Sequence, residues 1–157
     1  MRESWRRATV GGFSILTAGL LLAFLSLGCG PGEPFTHVQV RGKVTYEDGT
    51  PIPAHHLRVI FVAETPPIDK KTHPRPGTTD IYKEKSPDGS FSWVTSHVPG
   101  DGLVVGKHKV QLDPRDANDQ PLPKLVPEDT LNPKTSPLSV DTAVQPFEIK
   151  VKKPAGA

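Results

Sequence analysis

A neutral imidazole binds Zn²⁺ or Cu²⁺ and exchanges a proton near neutral pH, so the histidines are the first residues to weigh for chemistry. The chain has six, and His55 and His56 stand side by side just before an apolar stretch. Neighbouring side chains on an extended backbone point to opposite faces. His55 and His56 are the metal candidates by residue type, but they would need a local turn, and help from His37, His73 or His97, to share one ion. No His/Cys spacing of the usual zinc kind accompanies them, so neither a metal nor a cofactor is expected.

Nucleophilic and phosphate chemistry find no foothold. No Gly-x-Ser-x-Gly elbow, His-Glu-x-x-His pair or glycine-rich phosphate loop occurs, so no catalytic residue is assigned and an enzyme is not expected. Asp113, Asp116, Asp119, Glu128 and Asp129 gather acid in one stretch that could draw Ca²⁺ through oxygen ligands. The interspersed Arg115, Lys124 and prolines make it read as a solvated loop instead. Lys150, Lys152 and Lys153 read in the same way as a solvated strand face and tail.

Cys29 is the only cysteine, which excludes an internal disulfide, and its setting is distinctive. Met1 to Arg7 carries three arginines and one glutamate, and Val10 to Leu27 is an uncharged run of eighteen residues. These are an n-region and an h-region. At this length a membrane-spanning helix competes, since about 20 apolar residues span a bilayer. The run stops at Gly28-Cys29-Gly30-Pro31-Gly32, which resembles a bacterial lipobox.

That resemblance implies cleavage between Gly28 and Cys29, diacylation of the Cys29 sulfur (a palmitate-type anchor) and acylation of the new amino terminus. Ser26 and Leu27 depart from the pattern, which has an aliphatic residue and a small residue in those places. The other reading keeps Cys29 as an unmodified thiol beside an uncleaved signal anchor. Each buried methylene contributes about 0.8 kcal/mol, so two or three acyl chains hold a protein stably where one does not. Ala8-Thr9-Val10 lacks the bulky apolar pair of twin-arginine signals after Arg6-Arg7, so Sec export is expected. Gly30, where aspartate favours inner-membrane retention, points to the outer membrane rather than the cell membrane.

The elements that must position everything else lie after Cys29. Three of the 19 basic and one of the 17 acidic residues precede Cys29, leaving the remainder balanced and without a nucleic-acid footprint. All 18 prolines follow Cys29, which excludes long helices. Val38, Val40, Val44 and Tyr46 share one parity, as in a half-buried strand, and Asp48-Gly49 then turns the chain. Leu57 to Ala63 is a second strand. Residues 64–77 form a loop. Thr78 to Lys85 and Ser90 to Thr95 are expected as a hairpin around Ser86-Pro87-Asp88-Gly89, with Phe91 and Trp93 facing inward together. His108, Val110 and Leu112 share a face of the next strand. Residues 113–137, with six prolines, make a long structured loop, and Leu138 to Thr142 and Phe147 to Val151 complete a set of about seven.

GKVTYEDGTPI at 42–52, DGSFSW at 88–93, PGDGLVVGKHKVQL at 99–112 and LVPEDTLNPKTSPLSV at 125–140 together resemble planctomycete-type lipoproteins. Those proteins carry a carboxypeptidase-regulatory-like, transthyretin-like domain. The resemblance implies an all-β, seven-stranded Greek-key (prealbumin-like) sandwich after the signal helix. The domains are then a signal peptide at 1–28, lipidated Cys29 and tether at 29–35, the sandwich at 36–153 and a tail at 154–157.

The family implies no known reaction, and fold alone supplies none. Transthyretin-like 5-hydroxyisourate hydrolases end in Tyr-Arg-Gly-Ser, whereas this chain ends Val-Lys-Lys-Pro-Ala-Gly-Ala. The family usually has Tyr where His108 stands; a buried, neutral, hydrogen-bonded imidazole is expected there, with His108→Tyr at least as stable. The expected role is a membrane-anchored binding or adhesion module whose partner is an envelope protein or glycan, using residues 64–77 and 113–137. The alternative is a structural envelope component that assembles through exposed strand edges.

Overall fold

Alternating apolar residues organise the longest strands. In the computed structural model, which describes residues 33–155, β3 (His56–Ala63) turns Leu57, Val59 and Phe61 inward. β7 (Lys107–Arg115) does the same with His108, Val110 and Leu112. The expected signal helix, the Gly28-Cys29 cleavage and lipidation site and the start of the tether lie outside the described residues.

The remaining strands are short: β1 (His37–Val38), β2 (Gly42–Tyr46), β4 (Gly77–Tyr82), β5 (Ser90–Phe91), β6 (Leu103–Val104), β8 (Ser139–Asp141) and β9 (Phe147–Val151). They form sheets in the orders β4-β3-β7-β8, β5-β2-β9 and β1-β6. All pairings are antiparallel except β2 with β9, which run parallel from Gly42 opposite Phe147 to Tyr46 opposite Val151. Among the described residues there is no α-helix, only two 3-10 turns at Pro123–Leu125 and Glu128–Leu131. The all-β expectation holds, and the arrangement is β-sandwich-like.

Val44, Tyr46, Phe91, Phe147, Ile149 and Val151 from the three-stranded sheet share one core with Leu57, Val59, Phe61, Ile81, Val110 and Leu112 from the four-stranded sheet. Phe61 binds the two layers, its ring centroid 5.9 Å from Phe91 and 6.0 Å from Phe147. Tyr46 is buried too, and its hydroxyl donates to the Leu125 carbonyl at 2.7 Å. That bond, with buried Val126, Thr130 and Ser136, ties residues 122–137 onto the core. The stretch expected to offer binding loops is thus in large part a lid on the hydrophobic interior.

Among the described residues nine strands stand where about seven were expected. The two additional ones, β1 and β6, pair with each other. The first expected strand is split, because the chain leaves the ladder at Gln39 to Arg41, where the Arg41 carbonyl instead takes the Phe147 N–H at 2.9 Å.

The expected hairpin between 78–85 and 90–95 is overturned. β4 pairs with β3 and β5 with β2, so the turn between them carries the chain from one sheet to the other. Gly89 makes this possible: its φ is +81°, its carbonyl receives the Val44 N–H at 3.0 Å, and a Cβ would strike the Val44 carbonyl. Among the described residues a single bridge, Thr78 with Thr95, joins the two edges. The inward pairing of Phe91 with Trp93 fails for the same reason. β5 ends at Phe91, and the irregular path beyond it buries Val94 at 0% and leaves Trp93 55% exposed.

Candidate functional site

The alternation that sends Leu57, Val59 and Phe61 into the core sends His56 and Arg58 to the outer face of the four-stranded sheet. Cross-strand register then builds two rows there: Tyr82, His56 and Arg115 in one, and Asp80, Arg58 and Asp113 in the next. Opposite charges meet within the second row and diagonally between the two. Arg58 Nε donates to Asp80 Oδ1 at 2.9 Å, and Arg115 donates to Asp113 Oδ2 from Nη2 at 2.7 Å and from Nε at 2.9 Å. These carboxylates raise the pKa of both guanidinium groups.

A turn at 116–120 adds a third carboxylate. Asp116 Oδ1 accepts from the Asn118 and Gln120 amides at 2.8 and 2.9 Å, and Asp119 takes a left-handed conformation with φ of 61°. Its side chain thereby reaches back over the sheet, to 3.4 Å from His56 Nε2 and 3.2 Å from Arg115 Nη1. The acidic run is therefore not a simple solvated loop, since Asp113, Asp116 and Asp119 each have a local task. Glu128 and Asp129 are exposed in the second 3-10 turn.

This charged face ends in a groove along the β4 edge. About 460 Å³ in volume, the groove is lined by Thr78, Asp80 and Tyr82 of β4, Lys85 and Ser86 of the following turn, and Ser90, Ser92, Trp93 and Thr95. Such a volume falls within the roughly 300–1,000 Å³ common for small-ligand sites. Of the exposed large apolar side chains, the aromatic ones, Trp93 and Tyr82, both belong to it. Tyr82 is held between His56, stacked at 5.2 Å, and the Lys85 ammonium, 5.4 Å from the ring centroid.

The candidate ligands named from residue type alone are dispersed. His55 is exposed and His56 buried, as adjacent strand residues must be. His37 lies 3.9 Å from Asp101, and His73 Nε2 pairs with the Lys70 carbonyl at 3.2 Å. Neither joins His55 or His56. Among the described residues, no group of three or more His, Cys, Asp or Glu side chains has a geometry that could hold a metal ion. Lys150 donates to Thr45 at 3.2 Å, and Lys153 lies 3.9 Å from Asp48 and over the Tyr46 ring. Those two lysines serve the three-stranded sheet.

His108 is 1% exposed. Its Nδ1 lies 3.1 Å from the Gly106 carbonyl, which can only accept, so Nδ1 carries the proton. Among the described residues no donor reaches the buried Nε2. Burial pushes the His108 pKa down, with the Gly106 bond and the Asp141 and Glu64 charges opposing it more weakly.

Sequence reasoning named Trp93 as a core residue and passed over Arg58, Asp80 and Tyr82 altogether. The Arg58–Asp80 pair is defined by register between strands 22 positions apart, which no local spacing encodes. A detectable hint lay in Ser90 to Trp93, where hydroxyl residues alternate with rings. Among the described residues, no helix is long and apolar enough to cross a membrane. No protein-family model, curated protein or solved structure matches the chain.

Proposed function

We propose that this chain is an exported bacterial envelope lipoprotein, anchored through lipid on Cys29, whose β-module binds an envelope component in the groove beside Trp93. The observation that carries the binding role is the exposed indole that lines the groove beside a set of hydroxyl side chains. A ring of this size left 55% exposed forgoes a burial gain that the adjacent core could have supplied. The anchor rests on the charged and apolar segments before Cys29 and the small residue in front of it. The fold is read as a prealbumin-like Greek key enlarged by β1 and β6, as the resemblance to transthyretin-like lipoproteins implies.

Assembly through strand edges is the less supported role. The β4 edge is closed at Thr78 by Thr95, and the edge strands β5 and β8 are two and three residues long, which leaves the five-residue β9 as the longer edge. Short or covered edges oppose strand addition. A transthyretin-like hydrolase has less support still, because the six histidines do not converge and the charged face spends its acids on arginines.

Two measurements test the proposal. Intact-mass analysis of the membrane-extracted protein should find an acylated Cys29 as the first residue, and none in a Cys29→Ser variant; an intact Met1 in the wild type defeats the anchor. Hydroxyl-radical footprinting should show Trp93 protected in whole envelopes relative to the purified full chain. Equal oxidation in both defeats the binding role.

A further inference from the structure

We infer that the groove between β4 and β5 is a saccharide site, taking an uncharged pyranose oligosaccharide with one ring face on the Trp93 indole. This rests on the binding role proposed above and names its ligand class.

The lining selects for charge first. Its one carboxylate, Asp80, is neutralised by Arg58 at 2.9 Å, and its one ammonium, Lys85, sits over the Tyr82 ring at 5.4 Å. The other polar side chains turned toward it are mostly hydroxyls: Thr78, Ser86, Ser90, Ser92 and Thr95. Hydroxyls both donate and accept and rotate to suit, which matches a ligand that is itself a ring of hydroxyls. A pyranose also has an apolar face of C–H bonds, which the electron-rich face of an indole receives.

Backbone geometry then separates a sugar from a peptide. Lys83 N–H bonds to the His55 carbonyl at 3.0 Å, so the alternate residues Tyr82, Asp80 and Thr78 turn their N–H and C=O away from β3 toward the groove. Thr78 exchanges both of its bonds with Thr95, at 2.8 and 2.9 Å. The Tyr82 carbonyl receives the amides of Lys85 and Ser86, at 3.0 and 2.8 Å. Asp80 alone between them presents both its N–H and its C=O. A peptide strand needs a succession of such pairs, whereas one N–H, one C=O and an oriented carboxylate suit the hydroxyls of one sugar ring.

The test uses the membrane-extracted protein expressed with Trp5→Phe, so that Trp93 is the single indole whether or not residues 1–28 have been removed, in a zwitterionic detergent that has no sugar headgroup. Cellohexaose, chitohexaose and maltohexaose are titrated against Trp93 fluorescence and by calorimetry. At least one should shift the emission to shorter wavelength and bind with submillimolar affinity. Trp93→Ala should abolish the calorimetric signal, and Trp93→Phe should retain part of it. Thr78→Val and Asp80→Asn should each weaken binding by roughly three- to tenfold, the factor carried by one lost hydrogen bond. Unchanged affinity in Trp93→Ala places the sugar elsewhere and overturns the inference. Silence from all three sugars at millimolar concentration overturns it as well, and leaves the wider binding role standing if Trp93 is still protected in envelopes.

Discussion

Replacing His108 with leucine isolates a polar atom that the core holds at a cost. Wild type keeps Nε2 buried without a protein donor, a burden of about 1–3 kcal/mol, and recovers about 0.5–1.5 kcal/mol from the Nδ1–Gly106 bond. Removing the imidazole does not orphan the Gly106 carbonyl, which also accepts from the Thr142 amide at 3.1 Å. At pH 7.5 the variant should therefore be more stable by between about 0 and 2 kcal/mol. The sharper signature is in pH. Burial lowers the folded pKa below the unfolded value of 6.5, so the unfolded chain takes up the proton first. The His108 contribution is complete above that value and is lost as pH falls from 6.5 toward the folded pKa. Between pH 7.5 and 5.5 the gap between His108→Leu and wild type should widen, because the unfolded wild-type chain takes up a proton that the buried imidazole resists. Urea unfolding followed by far-UV circular dichroism at the two pH values measures it. His108→Phe, which packs differently, should show the same pH increment even if overpacking shifts both of its values. A gap that does not change with pH, in both variants, would refute a neutral buried imidazole.

Phe61→Ala should cost about 3–5 kcal/mol in the same unfolding assay, because the ring is fully buried and links both layers through Phe91 and Phe147. Tyr46→Phe removes only the bond to the Leu125 carbonyl, so a loss of about 1 kcal/mol is expected, with faster amide exchange concentrated in residues 122–131. Asp101 is a third case: burial opposes its ionisation, yet amide donors from Ser96, His97 and Val98 and the nearby His37 bring its pKa below 3.8. Its contribution is present above 3.8 and lost as pH falls through the lower folded value, so Asp101→Asn should erase an acid-side loss of protection at those three amides in hydrogen exchange.

The strands that could be read from the sequence were those whose partners impose a strict alternation. Leu57 to Phe61, His108 to Leu112 and Phe147 to Val151 lie in ladders at least five residues long, and their inward sets match the buried ones. Trp93 defeated the same reading because alternation persists in the sequence after the ladder has ended at Phe91. The turn at Gly89 was equally legible as a turn and illegible as a crossing between sheets, since positive φ fixes a bend without naming the strand that follows. The groove was hidden for a related reason: Arg58, Asp80, Tyr82 and Trp93 come from separate segments that only register brings together. His108 was visible as an inward histidine, but its lone unpaired nitrogen depends on what the neighbouring strands do not offer.

The parallel pairing of β2 with β9 also sets an order of events. Thr45 and Lys150 meet across a separation of 105 residues, so the flank of β2 that receives β9 has no partner until nearly the whole module has been made. Closing so distant a contact is slow, and the apolar side chains waiting on it stay in water meanwhile. A polypeptide emerging amino end first therefore leaves that backbone flank of β2, from Gly42 to Tyr46, open until Phe147 to Val151 arrives. Completion of the last strand acts as the latch, and a nascent chain interrupted before it is left marked by an open sheet that a chaperone or protease can recognise.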